Sequence, residues 1–160
     1  MNTVPSEWPA PGLTAPYRIA FVGEAPGAEE GGVGRPFVGQ AGREFNSWLR
    51  AAGIVREACF VGNVLRERPD NNDLANFCVP RVMEPAPDEF AAWPPVLPGK
   101  VLAPEHWADV VALRAELREF APNLIVALGR LALWALTGED EIGRARGTVS
   151  ECRLVPGCKV

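Results

Sequence analysis

Glu24, Phe37 and Asn63 are the side chains whose types and surroundings could do chemistry. Glu24 stands in the loop Gly23-Glu24-Ala25-Pro26-Gly27, and Arg35-Pro36-Phe37-Val38-Gly39 follows it. Glycines let backbone N–H groups approach a flat ligand closely. Pro26 fixes one φ angle and stiffens the loop. Phe37 offers a ring on which a base can stack. With a carboxylate at the tip, the loop reads as a floor for a nucleobase. Gly23 and Ala25 flank the carboxylate and are expected to line the same site. Glu30, in Glu29-Glu30-Gly31-Gly32, is a further acidic candidate.

These residues need a scaffold, and the hydrophobic pattern supplies one. Tyr17 to Val22 reads as a first strand, buried on both faces as in a parallel sheet. The loop Gly23–Gly39 is long for a compact domain, which usually signals function. Gln40 to Ala52 has helical spacing in Phe45, Trp48, Leu49 and Ala52. Cys59 to Leu65 reads as a second buried strand. Arg66 to Pro104 is rich in proline and asparagine and reads as a loop with one short helical piece. Glu105 to Phe120 is an amphipathic helix, Leu124 to Leu128 a third strand, and Arg130 to Leu136 a short helix. Gly147 to Val155 reads as two short strands around a turn. Alternating strands and helices predict an α/β fold: a three-layer α/β/α sandwich with a short, mostly parallel sheet. In such sheets ligands sit beyond the carboxyl ends of strands. Gly23–Gly27, Asn63 and Gly129 all fall there, so one crevice could hold them all.

Composition narrows the class. The chain has 160 residues, 48% of them apolar, which suits one globular domain. Residues 1–16 hold four prolines and read as an extended, poorly ordered lead-in, with residues 17–160 as the domain. That lead-in lacks a basic and an apolar region, so no signal peptide is expected, and no apolar run is long enough for a membrane span. A cytoplasmic monomer is expected. A formal charge of −4 argues against a binder that relies on non-specific phosphate contacts. The four cysteines, Cys59, Cys78, Cys152 and Cys158, form no CxxC pair, so no metal and no cofactor are expected.

Five blocks, taken together, resemble the uracil-DNA glycosylase superfamily: GEAPG at 23–27, GRPFVGQAG at 34–42, N-V-x-R-x-R-P at 63–69, PNLIVALG at 122–129 with A-x-x-A-L-T-G after it, and R-x-R-G at 144–147. The nearest likeness is to the bacterial, archaeal and phage group that includes thermostable iron–sulfur enzymes. The resemblance implies hydrolysis of the bond between uracil and deoxyribose in DNA, after the base flips into a pocket. It implies that Glu24 sits near the glycosidic bond, that Phe37 stacks on the uracil, that Asn63 reads the pyrimidine edge, and that Glu30 crowds the 5-methyl of thymine.

The chain departs from that pattern in two places. Residues 1–16 hold no cysteine and Glu67 stands at a family cysteine position, so no iron–sulfur cluster is expected. The family's histidine-proline motif follows a fourth strand, which would begin at or after Val160. The sole histidine, His106, lies at the start of a helix and is expected on the surface. A base-binding module of low or no activity is therefore an alternative to the enzyme. A nucleotide-phosphate binder is a weaker one, since the loop lacks G-x(4)-G-K-[ST] and GxGxxG. Plainer roles also remain open: a solvated carboxylate for Glu24, a core ring for Phe37, backbone satisfaction for Asn63, and a charged loop residue for Glu30.

Overall fold

In the computed structural model, which describes residues 3–160, the first apolar run forms β1 (Ile19–Gly23). Its alternating side chains set the layers. Ala20 and Val22 are buried in a large cluster with α3 (Pro104–Phe120) and α4 (Arg130–Thr137). Phe21 faces the other side, where it packs with Phe45 and Leu49 of α2 (Gln40–Ala51). On α3 the buried residues are Trp107, Val110, Leu113 and Leu117, the spacing of one helical stripe. The result is a parallel sheet flanked by helices on both faces, as the α/β pattern requires.

The sheet has the order β2-β1-β5, with β2 at Phe60–Asn63 and β5 at Leu124–Ala127. Gly23 pairs with Asn63 and Val22 with Ala127. The carboxyl ends of all three strands are therefore level, and the loops that leave them meet at one end of the sheet.

Several loops carry more structure than the pattern suggested. The stretch Gly23–Gly39 contains the short helix α1 (Ala28–Val33), which stops where Gly34 turns left-handed at φ 72°. The tract 66–104 holds an antiparallel hairpin, β3 (Cys78–Pro80) on β4 (Lys100–Leu102), as well as 3-10 turns. Val79 opposite Val101 gives that hairpin a β-branched pair, a signal diluted by the prolines between. Towards the carboxyl end lies α5 (Ile142–Ala145), and the paired segment is 150–160 rather than 147–155. There Ser150 and Val160 exchange both backbone bonds, and the Lys159 carbonyl accepts the Ile125 N–H on the outer edge of β5. His106 is half-buried, not on the open surface, because its ring stacks on Phe77 at 3.9 Å.

The N-terminal lead-in is extended but not loose. Glu7 and Val61 exchange backbone bonds of 2.8 and 3.0 Å in an antiparallel bridge. Val4 is buried, and Trp8 meets Phe60 edge-on at 5.5 Å. The lead-in thus covers the outer edge of β2, which would otherwise expose unpaired backbone groups.

Trp134 couples the core to the sheet end. It is fully buried in α4, and its indole N–H donates to the Pro94 carbonyl at 2.8 Å. Trp134→Ala should lower the unfolding free energy by about 3–5 kcal/mol. The check is the urea midpoint. A shift under about 1 kcal/mol would mean that the core collapses onto the gap.

Candidate active site

The loops at the level strand ends enclose a cavity of about 410 Å3. Gly23, Glu24, Ala25, Glu30, Phe37 and Asn63 all line it. The structure therefore brings these six residues together, whereas Gly129, expected in the same crevice, lines the neighbouring groove along β5 instead. Gly23 is the meeting point. A Cβ there would collide with the tip of the Phe37 ring and with Asn63 Oδ1, so only glycine lets the two side chains close over the end of β1.

Asn63 is 8% exposed, and among the described residues its carboxamide makes no hydrogen bond. No buried side-chain nitrogen or oxygen among the described residues lacks a partner, so the unbonded amide atoms open onto the cavity. An amide that faces a cavity beside an aromatic ring offers donors and an acceptor to a group of complementary pattern. Backbone satisfaction is thus not its role.

Phe37 is half-buried and has φ 54°, a left-handed conformation unfavourable for a bulky residue. Two charged groups hold it from opposite sides. Glu30 Oε1 accepts the N–H groups of Val38 and Gly39 at 3.1 and 3.0 Å. The Arg56 guanidinium donates to the carbonyls of Pro36 and Phe37 at 2.6 and 3.0 Å. Arg56 also donates to Asn46 Oδ1 at 2.9 Å and pairs with Glu7 at 2.5 Å. Gly42 of α2 lies directly against the Phe37 backbone, where a side chain would collide. The ring itself rests on Phe45, centroids 4.9 Å apart.

Glu30 accordingly has a structural role that the sequence did not announce. It is buried, and its carboxylate bonds to the backbone of the loop that carries Phe37. Burial alone would raise its pKa. The surrounding backbone N–H groups, Gly39 foremost, with those of Glu30, Val38 and Gly27, outweigh this and lower it.

Glu24 is exposed to the cavity, with one oxygen fixed. Its Oε1 accepts the Leu131 N–H at 2.7 Å, in the first turn of α4. Gly129, at φ 109°, makes room: a Cβ there would lie 2.7–2.8 Å from the Glu24 side chain. Glu24 is therefore a positioned carboxylate with one oxygen uncommitted.

Pro69, Asn72 and Leu74 form the remaining wall. Arg56, Glu7 and Leu131 had no local sequence signal, because their partners lie far along the chain. The Asn71-Asn72 dipeptide was visible, but not its position beside the cavity. His106, in α3, does not line it.

The cysteine thiols do not fit an iron–sulfur cluster. Cys59 sits in the Phe21–Phe45 core and donates to the Val55 carbonyl, and burial raises its pKa to about 11. Cys78 lies in β3, and Cys152 and Cys158 in the paired segment 150–160. Among the described residues no three His, Cys, Asp or Glu side chains are grouped to hold a metal.

The sequence model of the "Uracil DNA glycosylase superfamily" matches residues 12–156. The chain is 40% identical over 116 residues to a type-4 uracil-DNA glycosylase of Thermotoga maritima, covering 72% of this chain and 47% of that protein. It is 36% identical over 114 residues to one of Archaeoglobus fulgidus, covering 71% and 44%. To one of Sulfurisphaera tokodaii it is 34% identical over 113 residues, covering 70% and 40%. The matches thus span less than half the length of each of these relatives.

The Glu30 contacts make a pH prediction. Its folded pKa lies below its unfolded value, so its stabilisation is complete above the ordinary carboxylate range and is lost as pH falls through the folded pKa. Glu30→Gln should therefore lose less stability than the parent chain between about pH 5 and pH 3. Urea midpoints across that range test this. Parallel curves for the two proteins would show that the carboxylate is not stabilised by the loop.

Proposed function

Since the chain belongs to the uracil DNA glycosylase superfamily, we propose that it hydrolyses the N-glycosidic bond of uracil in DNA, the activity that its type-4 relatives' names carry. The observation that carries the proposal is the Asn63 carboxamide, which makes no hydrogen bond among the described residues and opens onto the cavity beside the Phe37 ring. We further propose that it acts as a monomer, in the cytoplasm, in base-excision repair.

Uracil presents O4 as an acceptor and N3–H as a donor, whereas cytosine reverses both. One fixed carboxamide satisfies uracil and is left unpaired by cytosine, and a site built this way discriminates strongly. The base must leave the helix stack to reach such a site. Phe37 then supplies a stacking face that replaces the lost neighbours.

As the bond to C1′ breaks, positive charge grows on the sugar and negative charge on the departing base. The Glu24 carboxylate, held through one oxygen by Leu131, stabilises the sugar with the other. Backbone N–H groups of the loop stabilise uracil O2. Water adds at C1′, and the uracil anion takes up a proton. Glu30 and Arg56 act through Phe37 by holding its backbone. No helix among the described residues is long and apolar enough to cross a membrane.

The test is a uracil-containing oligonucleotide treated with the protein and then with alkali, which cleaves abasic sites. Glu24→Gln should slow single-turnover excision roughly 10²- to 10³-fold and leave binding of free uracil intact. Uracil binding without any excision by the parent chain would favour the non-catalytic base-binding module. Asn63→Asp should weaken preference for uracil over cytosine, because a carboxylate cannot donate to O4 and accepts from cytosine N4. Unchanged relative binding of the two bases would remove Asn63 from recognition.

A further inference from the structure

A cavity that receives a base from DNA brings the strand's phosphates to its rim, and this cavity is acidic. Glu24, Glu29 and Glu30 line it, no arginine or lysine does, and the chain carries a formal charge of −4. Close approach of a polyanion needs a cation at the rim. Most nearby arginines are committed. Arg35 and Arg56 pair with Glu7 at 2.5 Å, Arg66 pairs with Glu116 at 2.7 Å, and Arg43 lies 3.6 Å from Glu29.

Arg68 is different. It is exposed and makes no ion pair among the described residues. Its Nε donates to Asn72 Oδ1 at 2.8 Å. Both Asn72 and the adjacent Pro69 line the cavity, so the cation is tied to the wall on two sides. The tie rests on a left-handed turn. Asn71 and Asn72 are consecutive left-handed residues, at φ 54° and 58°. Asparagine adopts that conformation at little cost, so the turn places the Asn72 side chain cheaply. Here the Asn72 N–H donates to the Pro69 carbonyl at 3.0 Å and Asn76 Nδ2 to the Asp70 carbonyl at 2.9 Å. Asp73, an acidic neighbour, has Oδ1 engaged at 2.9 Å by the Ala75 N–H.

We propose that Arg68, braced by Asn72, is the phosphate contact at the cavity rim, gripping a backbone phosphodiester of the strand whose base enters the cavity; this rests on the uracil-excision reading above. With Nε held by Asn72, the two terminal nitrogens keep the planar fork that matches phosphate oxygens. The bond to Asn72 fixes the fork relative to the wall, so phosphate binding sets the register of the strand without reading sequence.

The experiment measures binding to a single-stranded oligonucleotide carrying one hydrolysis-resistant 2′-fluoro-deoxyuridine, by fluorescence anisotropy, between about 50 and 200 mM salt. Binding of free uracil is measured alongside by calorimetry. Arg68→Ala should weaken oligonucleotide binding about tenfold at low salt. It should also flatten the slope of log K against log salt by about 0.7, the release expected for one single-strand phosphate. Free uracil should bind as in the parent. Arg68→Lys should keep the parent slope but not the full affinity, because it keeps the charge and loses the fork. A parent-like salt slope in Arg68→Ala overturns the proposal, as does Arg68→Lys behaving like Arg68→Ala. If the parent chain fails to bind free uracil, the excision reading fails and takes this proposal with it. If uracil binds normally and the slope does not move, only the Arg68 contact is wrong.

Discussion

The site depends on keeping one bulky residue in a backbone conformation that it disfavours. Phe37 in the left-handed region costs on the order of 1–3 kcal/mol. Hydrogen bonds to charged groups contribute roughly 1.5–3 kcal/mol each. Glu30 makes two of these to the N–H groups after Phe37, and Arg56 makes two to the carbonyls at and before it. A carboxylate can only accept and a guanidinium can only donate. Placed on the two polarities of one peptide segment, they fix its orientation in a way that neutral groups could not. The ring direction follows from the backbone, and the contact with Gly23 and Asn63 follows from the ring.

The clamp extends to the N-terminus. Arg56 is largely buried, its side chain 12% exposed, and an unpaired guanidinium there would be strongly destabilising. Glu7 balances it, and the backbone bridge from Glu7 to Val61 fixes Glu7 itself. A segment that looks dispensable by composition therefore seals the sheet edge and supplies the counter-ion for the residue that holds the Phe37 ring in place. On the other side, α4 contributes through Leu131. The helix that is anchored in the core by Trp134 presents its first turn to Glu24, so core packing and carboxylate position are one problem.

What the sequence revealed and what it hid follow from range. The strands at 19–23, 60–63 and 124–127 are short apolar runs, and each announces itself locally. Parallel pairing of such runs forces their ends level, so Gly23 and Asn63 could be placed in one crevice from the pattern alone; Gly129, at the same level, lines the adjoining groove. Glu24 and Phe37 stood out because glycine and proline mark their loops. Glu30 was legible as a candidate but not as a backbone clamp, because its bonds to Val38 and Gly39 require a helix at 28–33 that a glycine-rich stretch does not advertise. Arg56 and Glu7 were illegible, since a salt bridge across 49 positions leaves no pattern in either neighbourhood. The β3–β4 hairpin was hidden by the proline-rich connection between its strands.

Cavity size alone would have chosen a different site. A groove of about 700 Å3, larger than the acidic cavity, runs along β5 between α2 and the 145–150 segment. It is bordered by Trp48, Phe45 and the outer edge of β5, and it contains no counterpart of the unpaired Asn63 amide. Phe37, Ala41 and Leu128 line both hollows, so they form the partition between them. A ring that swung away from Gly23 would open the polar cavity to the apolar groove. If uracil occupies the cavity as proposed, the base would then lose its stacking face, and Asn63 would gain access to water, which can satisfy either pattern of donors and acceptors. Discrimination between uracil and cytosine requires that the amide have no such substitute partner. On the proposed reading the clamp on Phe37 contributes to recognition twice, by presenting the ring and by keeping the wall closed behind the base.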